Sequence, residues 1–307
     1  MEQVYDVIII GSGPAGLTAA IYTTRTNLKT LIIAGRKWGG QLMLTTLVEN
    51  YPGFAEGIQG PDLMTAMRKQ AEKHGAIIEE VDFTNGDFTS YPFTLYAEDK
   101  TFKSKSVLIA TGADTKWLGA KGEMEKIGRG VSSCAPCDAA FFRNKKVVVV
   151  GGGDSAMEEA LVLSRFAESV TIVHRRDSLK ASQVMQQKAK NNPKIQFLFN
   201  KEVIEILGDQ NVNGIKLKDT QTGGESEFPT DGVFVAIGHV PNTAVFKGIH
   251  IDDHGFIVVH DHYLTNVPGV FVAGDVHDSQ YKQAITAAGF GCAAALELER
   301  WLSDQKK

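Results

Sequence analysis

A chain of 307 residues has room for two domains of ordinary size, and 43% hydrophobic with 22% charged residues is the balance of a globular protein. A formal net charge of −4 argues against the basic surface that nucleic-acid phosphates demand, and no stretch approaches the roughly 20 apolar residues of a membrane span. Met1–Ile10 lacks a basic leader, and three cysteines are too few for a secreted disulfide scaffold, so a cytoplasmic location is expected.

Val4–Ile10 is a β-branched run suited to a buried parallel strand. It enters Gly11-Ser12-Gly13-Pro14-Ala15-Gly16, a complete G-x-G-x-x-G. An alanine-rich helix is predicted from there to about Thr26, and a second strand over Lys29–Ala34. Gly39-Gly40-Gln41-Leu42 reads as another glycine turn, with an amide suited to a flavin ring or its chain, and Glu49-Asn50-Tyr51-Pro52-Gly53 follows, whose bland alternative is a turn before an amphipathic helix. Val107–Gly112 is a buried strand ending in a glycine turn. Cys134-Ala135-Pro136-Cys137-Asp138 comes next. Lys145–Val150 then repeats the opening pattern, entering Gly151-Gly152-Gly153-Asp154-Ser155-Ala156 before a helix to about Phe166 and a strand over Ser169–His174. Two further strand-and-glycine segments, Val233–Gly238 and Gly269–Asp275, precede an alanine-rich helix over Ala284–Leu302.

The two glycine loops carry the same physics. The first glycine permits the tight strand-to-helix turn, the second lets backbone approach a pyrophosphate, and the third (or alanine) lets the helix pack on the sheet. The anion then rests on unpaired N–H groups at the helix start. Each of these units is closed by its own strand, Val107–Gly112 or Val233–Gly238, and Gly269–Asp275 falls back to the first. The expected fold is therefore α/β, with two Rossmann-like dinucleotide-binding domains. A discontinuous domain of 1–114 plus 244–307 receives an inserted domain of 115–243 through linkers near Ala113–Lys116 and Pro241–Val245. Asp275, at a strand end, places a carboxylate at the edge where α/β folds bind ligands.

Nucleotide selectivity is read at the end of the second strand of each unit. In the inserted unit that position is His174-Arg175-Arg176, with Lys180 one helical turn on. These side chains pair with a 2′-phosphate, which arginine can fork bidentately, so NADPH is expected over NADH. The bland alternative is a solvated basic face. The first unit ends its second strand in Ala34-Gly35 without a carboxylate, which weakens that fingerprint taken alone.

Two cysteines three apart near a helix start can form a reducible disulfide, since the helix N-terminus favours the thiolate that exchange requires. Asp138 is placed to give or take a proton as the dithiol attacks or leaves. The alternative, half of a zinc site, needs two more ligands, and the sequence offers only Cys292 and no second C-x-x-C. Cys292 reads as a small buried helix residue. No metal ligands are assigned. Cysteines and NADPH loop share the inserted domain, so they are expected to take turns at a flavin held by the other domain, hinging at the two linkers.

With these blocks in order, the chain resembles the low-molecular-weight thioredoxin reductases over essentially its whole length. The matching blocks are those above together with Ala110-Thr111-Gly112, Ala236–Thr243, and Gly274-Asp275 followed by Tyr281-Lys282-Gln283-Ala284. The resemblance implies two domains of the three-layer ββα type, a homodimer with one FAD per subunit, NADPH as donor, and thioredoxin or a thioredoxin-like protein as acceptor. It implies FAD contacts from Gly11–Gly16, Gly40, Gln41, Asn50, Thr111, Gly112, Asp275, Lys282, Gln283 and Ala284. It implies NADPH contacts from Gly151, Gly153, Asp154, Ser155, Ala156, His174, Arg175, Arg176, Lys180, Ile237 and Gly238. By the family's roles Cys137 faces the flavin, Cys134 attacks the partner disulfide and Asp138 donates the proton, while Arg129, Phe141 and Phe142 match positions that help dock thioredoxin. Rotation of the inserted domain between half-reactions is also implied.

The chain departs from the family pattern at Pro136 (usually threonine), Ala139 (glycine), and Lys180 and Lys282 (arginines); lysine loses bidentate geometry. Three rivals remain. A reductase of ferredoxin or flavodoxin has no use for the cysteine pair, and an oxidase of small dithiols has little use for His174–Arg176. A purely structural flavoprotein leaves the cysteines beside Asp138 unexplained.

Overall fold

Residues 3–305 are described by a computed structural model. The first half of the chain supplies β1 (Val4–Ile10), α1 (Pro14–Arg25), β2 (Thr30–Ile33), α2 (Gly60–Lys73), β3 (Ile77–Glu79), β4 (Phe83–Asp87), β5 (Phe93–Ala97) and β6 (Lys100–Ile109). A short strand β7 (Ala113–Thr115) leads to β8 (Val131–Ser132), α3 (Ala135–Asp138), β9 (Lys146–Val150), α4 (Asp154–Leu163), β10 (Ser169–His174), α5 (Gln183–Lys190) and β11 (Ile195–Phe199). Then come β12 (Lys201–Leu207), β13 (Gly214–Asp219), β14 (Glu225–Pro229), β15 (Gly232–Val235), a short β16 (His239–Pro241), β17 (Val270–Val272) and α6 (Ala284–Asp304).

The chain separates into two compact units: the segment through Asp114 with Val240 onward, and Thr115–His239. In the first, parallel strands run β3-β2-β1-β6, with β17 parallel to the end of β6. β4 and β5 add an antiparallel meander alongside the start of β6. Side chains alternate along β1 with the period of a strand. Val7 and Ile9 join Leu17, Leu63, Met64 and Leu298 of the helices, whereas Ile8 and Ile10 join Phe93, Leu95, Ile249 and Val272. A sheet buried on both faces reads as a continuous apolar run, which is why Val7–Ile10 is legible from sequence.

The second unit repeats this plan. Its parallel strands run β11-β10-β9-β15-β8. Val147 and Val149 face α3 and α4, while Val148 and Val150 pack on an antiparallel sheet of β12, β13 and β14. Each unit thus has three layers, with helices on one side of the parallel sheet and antiparallel strands on the other. Asn242 belongs to the first unit: its amide donates to the Thr111 carbonyl at 3.1 Å, and its own carbonyl accepts the Thr111 hydroxyl at 2.8 Å.

β6 begins seven residues before the apolar run that announces it. Along Lys103–Ser106 the lysines alternate with two serines that are fully buried. Ser104 donates to the Ser106 carbonyl (2.6 Å) and Ser106 to the Asp6 carbonyl (2.7 Å), so strand polarity here is satisfied internally and invisible to a hydrophobicity pattern. The helix after the second loop likewise stops at Leu163, where a turn takes over through Phe166.

α6 lies along α1, and Gly291 is the point of closest approach. A side-chain carbon there would run into the carbonyl of Ala15. Overpacking of this kind typically destabilises by about 1–3 kcal/mol, and Gly291→Ala is expected to lower the unfolding free energy by that amount, read from denaturant unfolding, with the fold retained by circular dichroism.

Candidate active site

In the first unit β1 delivers its chain into Gly11, held at φ +111° with the Ala110 carbonyl where a side chain would sit. Gly16 abuts the Gly11 carbonyl, closing α1 onto the sheet, whereas Gly13, the residue before α1, has open space on its Cα. No side chain among the described residues caps α1, so its first amides remain available to an anion. Ser12 is committed to the protein: its hydroxyl donates to the Ala34 carbonyl (2.7 Å) and accepts the Gly39 N–H (3.0 Å).

That bond brings the Gly39–Gln41 turn to the loop, with Gly40 against Gly13. Gln41 Nε2 donates to Asp114 (2.9 Å) and Asn50 Nδ2 to Gln283 (3.2 Å), the residue preceding α6. Gly274, at φ +80°, sits against Ala15, which carries Asp275 to the start of α1. Gly112 (φ +70°) faces open space beyond β6. The structure therefore gathers Gly11–Gly16, Gly40, Gln41, Asn50, Thr111, Gly112, Asp275 and the Lys282–Ala284 segment around one sheet edge. Asp275 Oδ1 is buried with no hydrogen-bond partner among the described residues. Burial, with some help from Asp278, pushes its carboxyl up to about 6 against the opposing pull of Lys282.

The second unit builds the same cradle. Gly151 meets the Ala236 carbonyl and Ala156, Gly153 is open, and no side chain among the described residues caps α4. Gly152 packs on the imidazole of His174, whose Nε2 is buried and unpartnered; desolvation lowers its basicity. The Gly152 carbonyl also accepts the amides of Lys180 (2.7 Å) and Ala181 (3.0 Å), which folds the Arg175–Lys180 segment back over the loop. Arg175, Arg176 and Lys180 are exposed there. Asp154 faces Ser182 instead, accepting its N–H and hydroxyl, both at 2.8 Å. Ile237 and Gly238 follow β15, with Ile237 exposed.

Cys134 and Cys137 form a disulfide, with Cα atoms 5.3 Å apart, at the start of the single-turn α3. Cys134 is the residue before the helix, and its carbonyl accepts the amides of Cys137 (3.2 Å) and Asp138 (3.1 Å). Pro136 sits in the first turn, where its missing N–H is no loss. Ser132, which sequence reasoning did not find, accepts the Cys134 N–H at 3.0 Å and donates to Asp138. Burial pushes the Asp138 carboxyl up and the serine hydroxyl partly opposes it. A carboxyl whose proton is held more tightly by burial suits a donor to a departing thiolate. A second missed carboxylate, Glu159 of α4, accepts the Ala135 N–H at 2.5 Å. Cys292 is half-buried on α6 beside the Tyr22 hydroxyl.

Residues 5–291 match the pyridine nucleotide-disulphide oxidoreductase family, to which the chain belongs. A thioredoxin reductase from Mycolicibacterium smegmatis is 51% identical over 99% of this chain and 98% of its own length. A bifunctional thioredoxin reductase/thioredoxin from Mycobacterium leprae is 48% identical over 99% of this chain and 67% of its own length. The crystal structure of thioredoxin reductase from Streptococcus pyogenes superposes with a TM-score of 0.94 at 40% identity, covering 99% of this chain and 100% of that one. The resemblance to low-molecular-weight thioredoxin reductases, and the α/β fold of two Rossmann-like domains, are thereby borne out. No helix among the described residues is long and apolar enough to cross a membrane.

Asp275 binds its proton more tightly in the folded chain than in the unfolded one, so its contribution to stability falls as pH rises from the ordinary carboxylate range through about 6. In the ligand-free protein, Asp275→Asn is expected to raise stability at pH 8 by on the order of 2 kcal/mol and to leave it unchanged at pH 3.5, as read by denaturant unfolding at the two pH values.

Proposed function

We propose that the protein reduces the disulfide of thioredoxin, or of a thioredoxin-like protein, with electrons from NADPH, through FAD and the Cys134–Cys137 pair. The observation that carries this reading is the disulfide itself, formed at a helix start beside Asp138, in the unit that also holds the second glycine loop and its arginines. The fused relative from Mycobacterium leprae, which joins reductase and thioredoxin in one chain, supports the choice of acceptor.

FAD fits the first unit: open backbone at Gly13, uncapped amides at the start of α1, and the unpartnered Asp275 Oδ1 suit a pyrophosphate followed by hydroxyl donors. NADPH fits the second, with its pyrophosphate on Gly151–Ala156 and its 2′-phosphate met by Arg175, Arg176 and Lys180. When bound, the flavin supplies the means to convert a two-electron hydride donor into a reductant of sulfur. The protein's own groups do the rest. Once reduced, Cys134 attacks a sulfur of the acceptor disulfide, forming a mixed disulfide and expelling one acceptor thiolate, to which Asp138 supplies a proton. Cys137 then attacks Cys134, reforming the internal disulfide and releasing the acceptor as a dithiol. NADPH, one proton and a disulfide become NADP⁺ and a dithiol, so the charges balance.

Flavin residues and nucleotide loop lie in different units, and the cysteines share the unit of the loop. The two half-reactions are therefore served in turn, by reorientation about the crossings at Asp114–Thr115 and His239–Val240. The working form is a cytoplasmic homodimer, a reading that rests on the family resemblance.

Cys134→Ser is expected to abolish thioredoxin-dependent NADPH oxidation while anaerobic NADPH still bleaches the yellow enzyme. Unchanged turnover would remove the disulfide from the mechanism. Arg175→Ala with Arg176→Ala should raise the KM for NADPH by roughly 10- to 100-fold and leave that for NADH within about twofold, since solvent screening at these exposed positions holds the combined contribution of the pair to about 1.5–3 kcal/mol. Steady-state kinetics with both donors reads the ratio.

A further inference from the structure

The free amides of α3 can be counted. Pro136 has none, and those of Cys137 and Asp138 go to the Cys134 carbonyl. Ala135 holds the one remaining N–H, directly after Cys134, and Glu159 Oε2 takes it at 2.5 Å. Glu159 comes from the second turn of α4, the helix that begins at the second glycine loop. We propose that Glu159 is a positioning residue of the dithiol centre: it anchors the amide following Cys134 and, by its charge, keeps the Cys134 thiol protonated and the couple strongly reducing. This rests on Cys134 and Cys137 being the redox pair.

The physical case has two parts. A thiolate at the start of a helix is stabilised by amide donors there, and this chain leaves one such donor and gives it to a carboxylate. The negative charge then lies beside Cys134 and opposes a second. Stabilising a thiolate makes a disulfide couple more oxidising, so withholding the amide and adding an anion moves the couple the other way. That direction suits a centre whose task is to give electrons to another disulfide.

The surroundings fit a group that acts by charge. The charged groups acting on Glu159 are Asp138 from α3 and Glu158 from α4, both acidic, and with burial they push its carboxyl up to about 7. Burial is the largest cause, the Ala135 amide opposes it, and Glu159 carries its charge above neutrality. On the other side of Cys134, Ser132 holds the cysteine's own N–H and bonds Asp138. Two carboxyls thus bracket the sulfurs, one following Cys137 and the other behind Cys134.

The test uses the holoenzyme reduced anaerobically with NADPH, with iodoacetamide trapping and peptide mass spectrometry to assign the alkylated cysteine across pH 5.5–9.5. Glu159→Gln keeps a carbonyl for the Ala135 amide and removes the charge. It is expected to raise the Cys134 thiolate fraction above neutrality, where the Glu159 carboxyl is ionised, by about tenfold and to shift the disulfide potential positive at pH 8 by about 30 mV, the two-electron equivalent of that change. Glu159→Ala should move both in the same direction, and carries the test if the glutamine variant does not fold. A glutamine variant with the parental alkylation profile and potential would reduce Glu159 to a helix cap and overturn the proposal. If NADPH exposes no alkylatable Cys134 in the parent enzyme, the redox pair itself fails, an outcome separate from the variant comparison.

Discussion

In both units, one backbone contact fixes where everything else can go. The carbonyl that ends a neighbouring strand, Ala110 in the first and Ala236 in the second, presses against the first glycine of the loop. No side chain can stand at Gly11 or Gly151 without pushing that strand away. The chain therefore leaves the central strand hard against the sheet edge and turns at once into a helix, whose uncapped amides point out over the strand ends. Gly16 and Ala156 finish the job by letting that helix settle on the sheet. Gly112 and Asp275 in the first unit, and the Arg175–Lys180 segment in the second, lie beside their own unit's loop because their strands end at that edge of their own sheet.

In the second unit the consequence travels further. The helix seated by this contact, α4, is also the one that carries Glu159 to Ala135. The second glycine loop and the disulfide upstream of it are thus tied to a single helix, with fully buried Met157 and Ala160 packing it in place. Rigidity at this point has a chemical use. Thiol–disulfide exchange depends on the angle and acidity of each sulfur, and a four-residue helix cannot hold either alone.

How far these features could be read from sequence follows from how local their causes are. The glycine loops, the buried valine and isoleucine runs and the cysteine pair were legible because each is a short pattern with its own physics. The gathering of Gln41, Asn50 and Gln283 was approachable only through family resemblance, since Asn50 and Gln283 meet across 233 residues. Ser132 and Glu159 escaped for a different reason. A serine in a two-residue strand and a glutamate in a helical Glu-Glu pair look like ordinary surface chemistry, and only the tertiary approach of α4 to α3 gives them work. The early part of β6 escaped because its buried positions are serines, satisfied by backbone carbonyls of Ser106 in the same strand and of Asp6 in β1.

Three carboxyls, Asp138, Glu159 and Asp275, share a property that explains their places. Each is pushed up mainly by burial, which means the folded chain holds it where its charged form is disfavoured. Structural ion pairs do the opposite: Asp219, salt-bridged to Lys201 at the surface, is held well below the usual carboxylate range. A protein gains nothing in stability from desolvating acids whose burial outweighs any cation nearby, and such acids concentrate where protons are moved or ligands bound. Their distribution is uneven in an instructive way. Two stand by the sulfurs, where two protons must be exchanged for every disulfide reduced, and one stands by the first glycine loop, with a buried oxygen that has no partner among the described residues. The chemistry of the site is thus written in unfavourable electrostatics, and the close-packed sheets on either side supply the stability that lets it persist.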